Sequence, residues 1–512
     1  MIVFIISIIL RIDYEIYFQD FYADKAYQVF AAENYNNGLG LSIIMPELSD
    51  LSKTTLGKLE GYPPAYSYLI SFFSPILTTI NTTLIIDSFA IILLLLALLI
   101  ILKLFKINNT YQVLLLLFFG LTPSPFGYLN STDLLVTSLT ILNFALFLFF
   151  YNKNIRWIIF FSFFTFLPPI FKYSALPLIV LFPSLFIILS FINKENNFLK
   201  KGIFNLFLTI SLFLIYNNFF PAYPKSKVFE NGFYIFQLLQ IDDYLFKSFF
   251  YIEFYVKHLI KNKFYLGISK FITVLFSFFV LFLCTKKSFS LLKLRKYSQK
   301  SILIYSVVII NFLLLASLSY LSLRVKGETW QTPPWTYVEE TRYYGPAIIL
   351  IQITFFIILY KTQKFTLLKY KLFGIFMLFS YVFNCAYGIK QLFNIHIKKN
   401  YDYTFYYNNS KFIEISNNIN SNYPYSSDNI VFSSNNGFEN IFVATHSTVD
   451  KFIDLQNILD NEINCSSTLN FIVHCSKKEL NILQANNHII PHKTYNLKNN
   501  SLLCFFKIKK TL

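Results

Sequence analysis

The run LIIDSFAIILLLLALLIILKLF, residues 84–105, carries one acid and one base in twenty-two positions. A helix rising about 1.5 Å per residue needs about 20 apolar residues to cross the hydrocarbon core of a bilayer, so this stretch is long enough. Ser301 to Leu323 repeats the pattern, and similar runs recur along most of the chain. The 512 residues are 55% hydrophobic, 20% aromatic and only 14% charged, against about 25% charged in soluble domains. An ordinary soluble enzyme is excluded. A β-barrel is excluded too, because its strands alternate lipid-facing and lumen-facing residues over about ten positions, whereas these runs are continuously apolar. The fold class is an all-α polytopic membrane protein.

Working outward, the apolar runs predict spans near 1–12, 84–105, 111–128, 134–151, 157–172, 173–192, 203–220, 269–285, 301–323, 346–361 and 372–388. Loops retained in the cytoplasm are enriched in Lys and Arg. One alternating set of connections, between 103 and 106, 153 and 156, 194 and 201, 286 and 300, and 361 and 371, holds seventeen basic residues to one acid, Glu195. That set faces the cytoplasm. The opposite set carries nearly all the acids of residues 1–388, so the net charge of +17 is mostly a topology signal and nucleic-acid binding is not needed to explain it. Two outer loops, 11–83 and 221–270, exceed the 12 to 15 residues of an ordinary connector. The first holds an amphipathic stretch, Asp24 to Tyr35, then an apolar segment, Pro64 to Ile80, that opens on Pro-Pro and is interrupted by Pro75. Counting Pro64 to Ile80 as a span inverts every later loop, so it is placed on or dipping into the outer interface.

Residues 389–512 change character, with 22 Asn and no run long enough to span. Asn429 to Ser433 and Asn470 to Val473 alternate as strands do, and Gly437 to Ala444 and Lys477 to Ala485 suit helices; eleven spans from a cytoplasmic start leave this small α/β domain outside. At the amino end, ten apolar residues before Arg11 are short for a span: either the helix continues through Tyr17 and Phe18, or the start is truncated, which is the favoured reading. Cys284 and Cys385 fall in spans as packing residues. Cys465, Cys475 and Cys504 fall in the outer domain, where a Cys465–Cys475 disulfide is conceivable and an odd thiol remains.

Soluble catalytic motifs are missing. Gly38 and Gly40 lack the third glycine of a dinucleotide loop, no GxxxxGK[ST] phosphate loop or nucleophile elbow is present, and Pro491 between His488 and His492 argues against a helix that would align them on a metal. Span centres are nearly free of ionisable residues, which are the usual mark of a transport pathway; Asp87, Asp133 and Lys172 all lie near outer ends. An enzyme working at the outer leaflet is favoured over an ion-coupled transporter; the alternatives are a transporter or flippase of lipid-linked saccharides and a non-catalytic envelope assembly protein.

Six segments then become specific. Asp24-Lys-Ala-Tyr27, Ala32 to Gly40 and Gly61-Tyr-Pro-Pro-Ala-Tyr-Ser-Tyr68 occupy the first outer loop; Asn130-Ser-Thr-Asp133 follows the third span; Phe171-Lys172-Tyr173 divides the fifth from the sixth; and Glu340-Thr-Arg342-Tyr-Tyr-Gly-Pro346 precedes the tenth. In order and sidedness this set resembles the GT-C membrane glycosyltransferases, nearest the bacterial glycosyltransferase 39 branch of lipid A aminoarabinose transferases and protein O-mannosyltransferases. The resemblance covers about the whole chain, as a GT-C-like core over residues 1–388 and an extracytoplasmic domain over 389–512.

It implies transfer of a sugar from a polyprenyl-phosphate donor, at a multi-pass protein of the bacterial cytoplasmic membrane, to a glycan, lipid or protein acceptor outside. A donor delivered through the lipid needs no nucleotide-binding domain. The acceptor hydroxyl must lose its proton as it attacks, which asks for a carboxylate base: Asp24 first, with Asp20 one turn earlier as rival. The departing phosphate calls for an Arg fork, Arg342 first, then Lys172 and Lys58, or for a divalent cation shared among outer acids, the metal ligands being unassigned. Asp133 orients the acceptor or ligates that metal. Tyr62, Pro63, Pro64 and Glu340 shape the site. Sidedness is directly measurable: a phosphatase reporter fused at residue 24 is expected to be active and one fused between 286 and 300 inactive, and the opposite pattern would overturn the topology.

Overall fold

The computed structural model describes residues 2–17, 23–47, 50–59, 62–77, 79–121, 132–220, 263–294, 298–323, 341–362, 429–433, 448–449, 466–496 and 501–509, with scattered positions between 382 and 393. The chain forms two compact units, one of residues 1–14, 61–63 and 85–392, the other of residues 15–60, 64–84 and 393–512.

The first unit is helical. Its elements are the start of α1 (Ile2–Tyr17), most of α4 (Thr79–Leu104), α5 (Asn109–Leu121), α6 (Thr132–Phe150), α7 (Arg156–Phe171), a 3₁₀ segment (Tyr173–Val180), α8 (Leu181–Asn193), α9 (Asn196–Phe219), α10 (Lys263–Lys293), α11 (Gln299–Leu323), a 3₁₀ turn (Thr341–Tyr344) and α12 (Gly345–Thr362). Where it is described, each expected span from the first to the tenth is helical, residues 122–128 of the third lying outside the described residues, as does most of the eleventh, 372–388. Among those residues five helical stretches are long and apolar enough to cross a membrane: Asn81–Leu104, Thr132–Phe150, Tyr173–Asn193, Asn196–Phe219 and Gln299–Tyr320. The protein is multi-pass. Helix α1 runs on through Tyr17, and α10 begins at Lys263, inside the expected outer loop.

Helix α6 is the buried centre of this unit, with all but two of its residues enclosed. Phe147 on α6 meets Phe161 on α7 and Phe186 on α8 with ring centroids 5.9 and 4.9 Å apart, and Phe161 meets Phe182 edge-on at 4.9 Å, the geometry that the ring quadrupoles favour. Lipid tails offer no hydrophobic drive for helices to associate, so close packing and interhelical hydrogen bonds do that work. Asn143 of α6 donates to the carbonyl of Phe164 on α7, and Asn205 of α9 donates to the Ser162 hydroxyl on α7 at 2.7 Å. Lys201 of α9 is buried and donates to the carbonyl of Tyr151, just past the end of α6, at 3.0 Å.

The second unit holds α2 (Ala23–Asn36), a hairpin of β1 (Ser42–Glu47) and β2 (Asp50–Lys58), α3 (Ala65–Leu77), and strands β3 (Asn429–Ser433), β4 (Thr448–Val449), β5 (Leu469–Ser476), β6 (Ile489–Asn496) and β7 (Ser501–Ile508), with α13 (Lys477–Ala485) between β5 and β6. Helix α2 ends in a Schellman cap: the N–H of Leu39 reaches the carbonyl of Asn34, that of Gly38 reaches Tyr35, and Gly38 takes φ +79°, a left-handed value that glycine adopts without a Cβ clash. Helix α3 packs on α2, where the rings of Tyr68 and Tyr35 meet edge-on at 5.1 Å and Asn36 donates to the Ser74 hydroxyl at 2.8 Å, and its thirteen residues are fewer than a span requires. The five-stranded sheet has the order β4-β3-β5-β7-β6, parallel from β4 to β5 and antiparallel from β5 to β6. Both strands and the helix anticipated at 429–433, 470–473 and 477–485 are present, and α13 opens on a capping box between Ser476 and Glu479. The helix anticipated at 437–444 lies outside the described residues.

One close approach tests the packing of the first unit. A Cβ on Gly120 of α5 would meet the backbone of Ser7 on α1 at 2.9 Å. Gly120→Val is therefore expected to destabilise the protein by about 1–3 kcal/mol through overpacking, seen as earlier thermal aggregation in detergent, with Gly38→Ala as a comparison that strains backbone without a clash.

Candidate functional site

Three segments far apart in sequence meet at one place in the first unit. Asp133 stands in the first turn of α6, where the helix dipole favours an anion. Lys172 is the joint between α7 and the 3₁₀ segment. Pro168 and Pro169 lie in the last turn of α7, Lys172 takes an extended conformation at φ −155° and ψ 128°, and its N–H reaches back to the carbonyl of Pro168 at 3.2 Å. Its own carbonyl then accepts from Ala175 at 3.0 Å to start the next helical segment. That single extended residue carries its side chain away from the helix end. Tyr343 belongs to the 3₁₀ turn before α12, a turn anchored by the fully buried Tyr344.

The Lys172 Nζ lies 2.6 Å from Asp133 Oδ1, with side-chain exposures of 13% and 6%. The same ammonium sits 4.8 Å from the centroid of the Tyr343 ring, within cation–π range. Asp133 is its one oxygen partner among the described residues. Beside the pair is a cavity of about 10 Å³ lined by Asp133, Thr137, Ser174, Leu178, Leu314 and Tyr343, at the lower limit for one water molecule. Thr137 follows Asp133 by one helical turn, so both point from one face of α6. Any ligand larger than a water molecule must part these side chains to enter.

The other expected site residues distribute as follows. Asp24 is in the first turn of α2 and Lys58 is the exposed last residue of β2, both in the second unit. Arg342 is in the 3₁₀ turn next to Tyr343. Tyr62 is half-buried, and Pro63 and Pro64 are buried. Asp20 and Glu340 lie outside the described residues. Lys172 and Asp133, expected to serve the donor phosphate and the acceptor or metal respectively, are each other's ion-pair partners. Among the described residues no group of three or more His, Cys, Asp or Glu is close enough to hold a metal ion. Sequence reading missed Thr137, Ser174 and the part played by Tyr343; the i, i+4 spacing of Thr137 from Asp133 was the available signal.

No protein-family model matches the chain, and no curated protein matches it. Among solved structures it is similar to the Archaeoglobus fulgidus oligosaccharyltransferase in its apo form, at 10% identity and a TM-score of 0.45, covering 88% of this chain and 64% of that one. It is also similar to ArnT from Cupriavidus metallidurans in the apo state, at 8% identity and a TM-score of 0.43, covering 98% of this chain and 96% of that one. The chain thus spans just under two thirds of the oligosaccharyltransferase. With TM-scores below 0.5, these likenesses leave the role of each residue to its own chemistry.

Removing one partner of a buried ion pair strands the other charge, at about 3–5 kcal/mol. Asp133→Asn and Lys172→Met alone are each expected to lower stability by that order, and the double variant to recover most of the loss. Additive losses in a thermal-shift cycle would show that the pair is not coupled.

Proposed function

We propose that this protein is a membrane glycosyltransferase that moves a sugar from a polyprenyl-phosphate donor to an acceptor on the outer side of the bacterial cytoplasmic membrane. The observation that supports it most is the convergence of Asp133, Lys172 and Tyr343, from three separate motif segments, on one nearly dehydrated polar site. Structural polar contacts in a membrane core are mostly neutral, as at Asn143 and Asn205; a full ion pair beside an aromatic ring and a cavity is a costlier arrangement than packing needs.

In this reading the acceptor oxygen attacks the anomeric carbon while its proton passes to a carboxylate, and the bond from that carbon to the donor phosphate oxygen breaks, so configuration inverts. Asp24 takes the proton. Polyprenyl phosphate leaves with its negative charge met by Arg342 or Lys172, or by a divalent cation. Lys172 has three N–H donors and is held by Asp133 as an ion pair, so it can turn toward a phosphate while Asp133 accepts from a hydroxyl of the incoming sugar or acceptor.

General-base catalysis is worth about 10²–10⁴-fold. Asp24→Asn, at normal expression, is expected to reduce transfer of radiolabelled sugar from a polyprenyl-phosphate donor in membrane vesicles by at least about a hundredfold. Unchanged transfer removes Asp24 from the base role, and translocation of the lipid-linked saccharide with no transfer at all favours a flippase.

A further inference from the structure

The second unit contains a pair of sulfurs that the proposed chemistry does not use. Cys475 on β5 stands opposite Leu502, and Cys504 on β7 stands opposite Val473, so the two cysteines are diagonal neighbours on one face of the sheet. Both are fully buried, and their sulfurs are 3.5 Å apart. Both thiols are free. A buried lone cysteine is ordinarily a small hydrophobe, but two sulfurs in van der Waals contact across a ladder form a different object. A disulfide bond is about 2.05 Å long, so closure needs an approach of about 1.5 Å, and because diagonal neighbours on an antiparallel ladder stand about 7–8 Å apart, part of that approach comes from the backbone. Cys465, the partner expected for Cys475 from sequence, lies outside the described residues.

We infer that Cys475 and Cys504 are a disulfide-forming pair that staples the adjacent strands β5 and β7 of the terminal sheet. The two sulfurs are also unequal. Hydrogen bonds from Cys475 and from the Thr494 side chain on β6 hold the Cys504 thiol below its ordinary range, while donation to Cys504, together with burial, pushes Cys475 up. In the opened sheet either cysteine can attack first, since the thiolate is the nucleophile in exchange. Its thiolate attacks a low-molecular-weight or protein disulfide, forming a mixed disulfide and releasing one thiol. The other cysteine then gives up its proton and displaces the second thiol. The two electrons and two protons lost by the pair end on the two thiols of the reduced oxidant. Because the site is buried, oxidation precedes closure of the sheet or follows its opening, and the finished bond is sheltered from reductant. In cells the step requires an oxidising compartment and so rests on the reading that residues 389–512 lie outside the cytoplasm.

The test uses the full-length protein in two settings. Purified in detergent, reduced and then exposed to oxidised glutathione during refolding or mild opening, it is expected to lose two N-ethylmaleimide-reactive thiols on subsequent unfolding. It should also yield a Cys475–Cys504 linked peptide by mass spectrometry. Cys465→Ser should leave that peptide intact, and Cys504→Ser should leave Cys475 alkylatable. Two free thiols, or a Cys465–Cys475 peptide instead, overturns the pair. The same peptide is then sought in membranes quenched directly with N-ethylmaleimide. Its presence supports both the pair and the outer placement; linkage in detergent with reduced thiols in cells supports the pair and overturns the placement.

Discussion

A bilayer does not tolerate a stranded charge. At mid-depth an ionised side chain costs at least about 2.5–3.5 kcal/mol on insertion scales, and toward the interface the cost falls only as water or a counter-charge becomes available. Asp133 and Lys172, both almost fully enclosed, meet that constraint by meeting each other. The pair binds the amino end of α6 to the joint between α7 and the 3₁₀ segment, and the Tyr343 ring over the ammonium adds the turn before α12. Four parts of the helical unit are thereby held at one level by a contact that no purely apolar packing would specify.

Local sequence supplies the precision of that contact. Two consecutive prolines near the end of α7 do not stop the helix at once, but they are followed by a residue that leaves helical geometry altogether. Had α7 run straight into the 3₁₀ segment, residue 172 would project from a helix wall at an angle set by its neighbours. As an extended joint it is free of that periodicity, and its carbonyl and N–H are still satisfied, by Ala175 and Pro168. Backbone satisfaction is obligatory where water is scarce, so a one-residue break is about the largest interruption such a position admits.

The helical spans were legible in the sequence because hydropathy and basic loops speak directly to the bilayer, and the limits near 150, 172 and 193 followed from Lys and Pro placement. The strand at 429–433 and the central residues 470–473 of the strand at 469–476 were legible through alternation, and the helix at 477–485 was anticipated beside them. The β1–β2 hairpin was not: Pro46 interrupts one strand, and Ser, Lys and Thr dominate the other, giving no clean two-residue period. Nor was the pairing of Asp133 with Lys172. Each residue stood in its own motif, and nothing in a linear pattern reveals that two motifs share one carboxylate–ammonium contact. The Cys475–Cys504 contact was hidden for the same reason, since strand register, 29 residues apart, decides which sulfurs face each other.

Helix α6 has opposite charges at its two ends. Its amino-terminal turn carries Asp133, and the carbonyl of Tyr151, just past its carboxyl end, accepts from the buried ammonium of Lys201, so each end of the helix dipole meets its complement. Any sliding of α6 along the membrane normal would pull both charges off their partners at once and into less polar surroundings. The helix is consequently pinned in depth as well as enclosed, and it serves as the fixed post of the bundle: whatever opens the small cavity beside Asp133 must do so by motion of the 3₁₀ segment, of α11 or of the turn before α12, with α6 standing still.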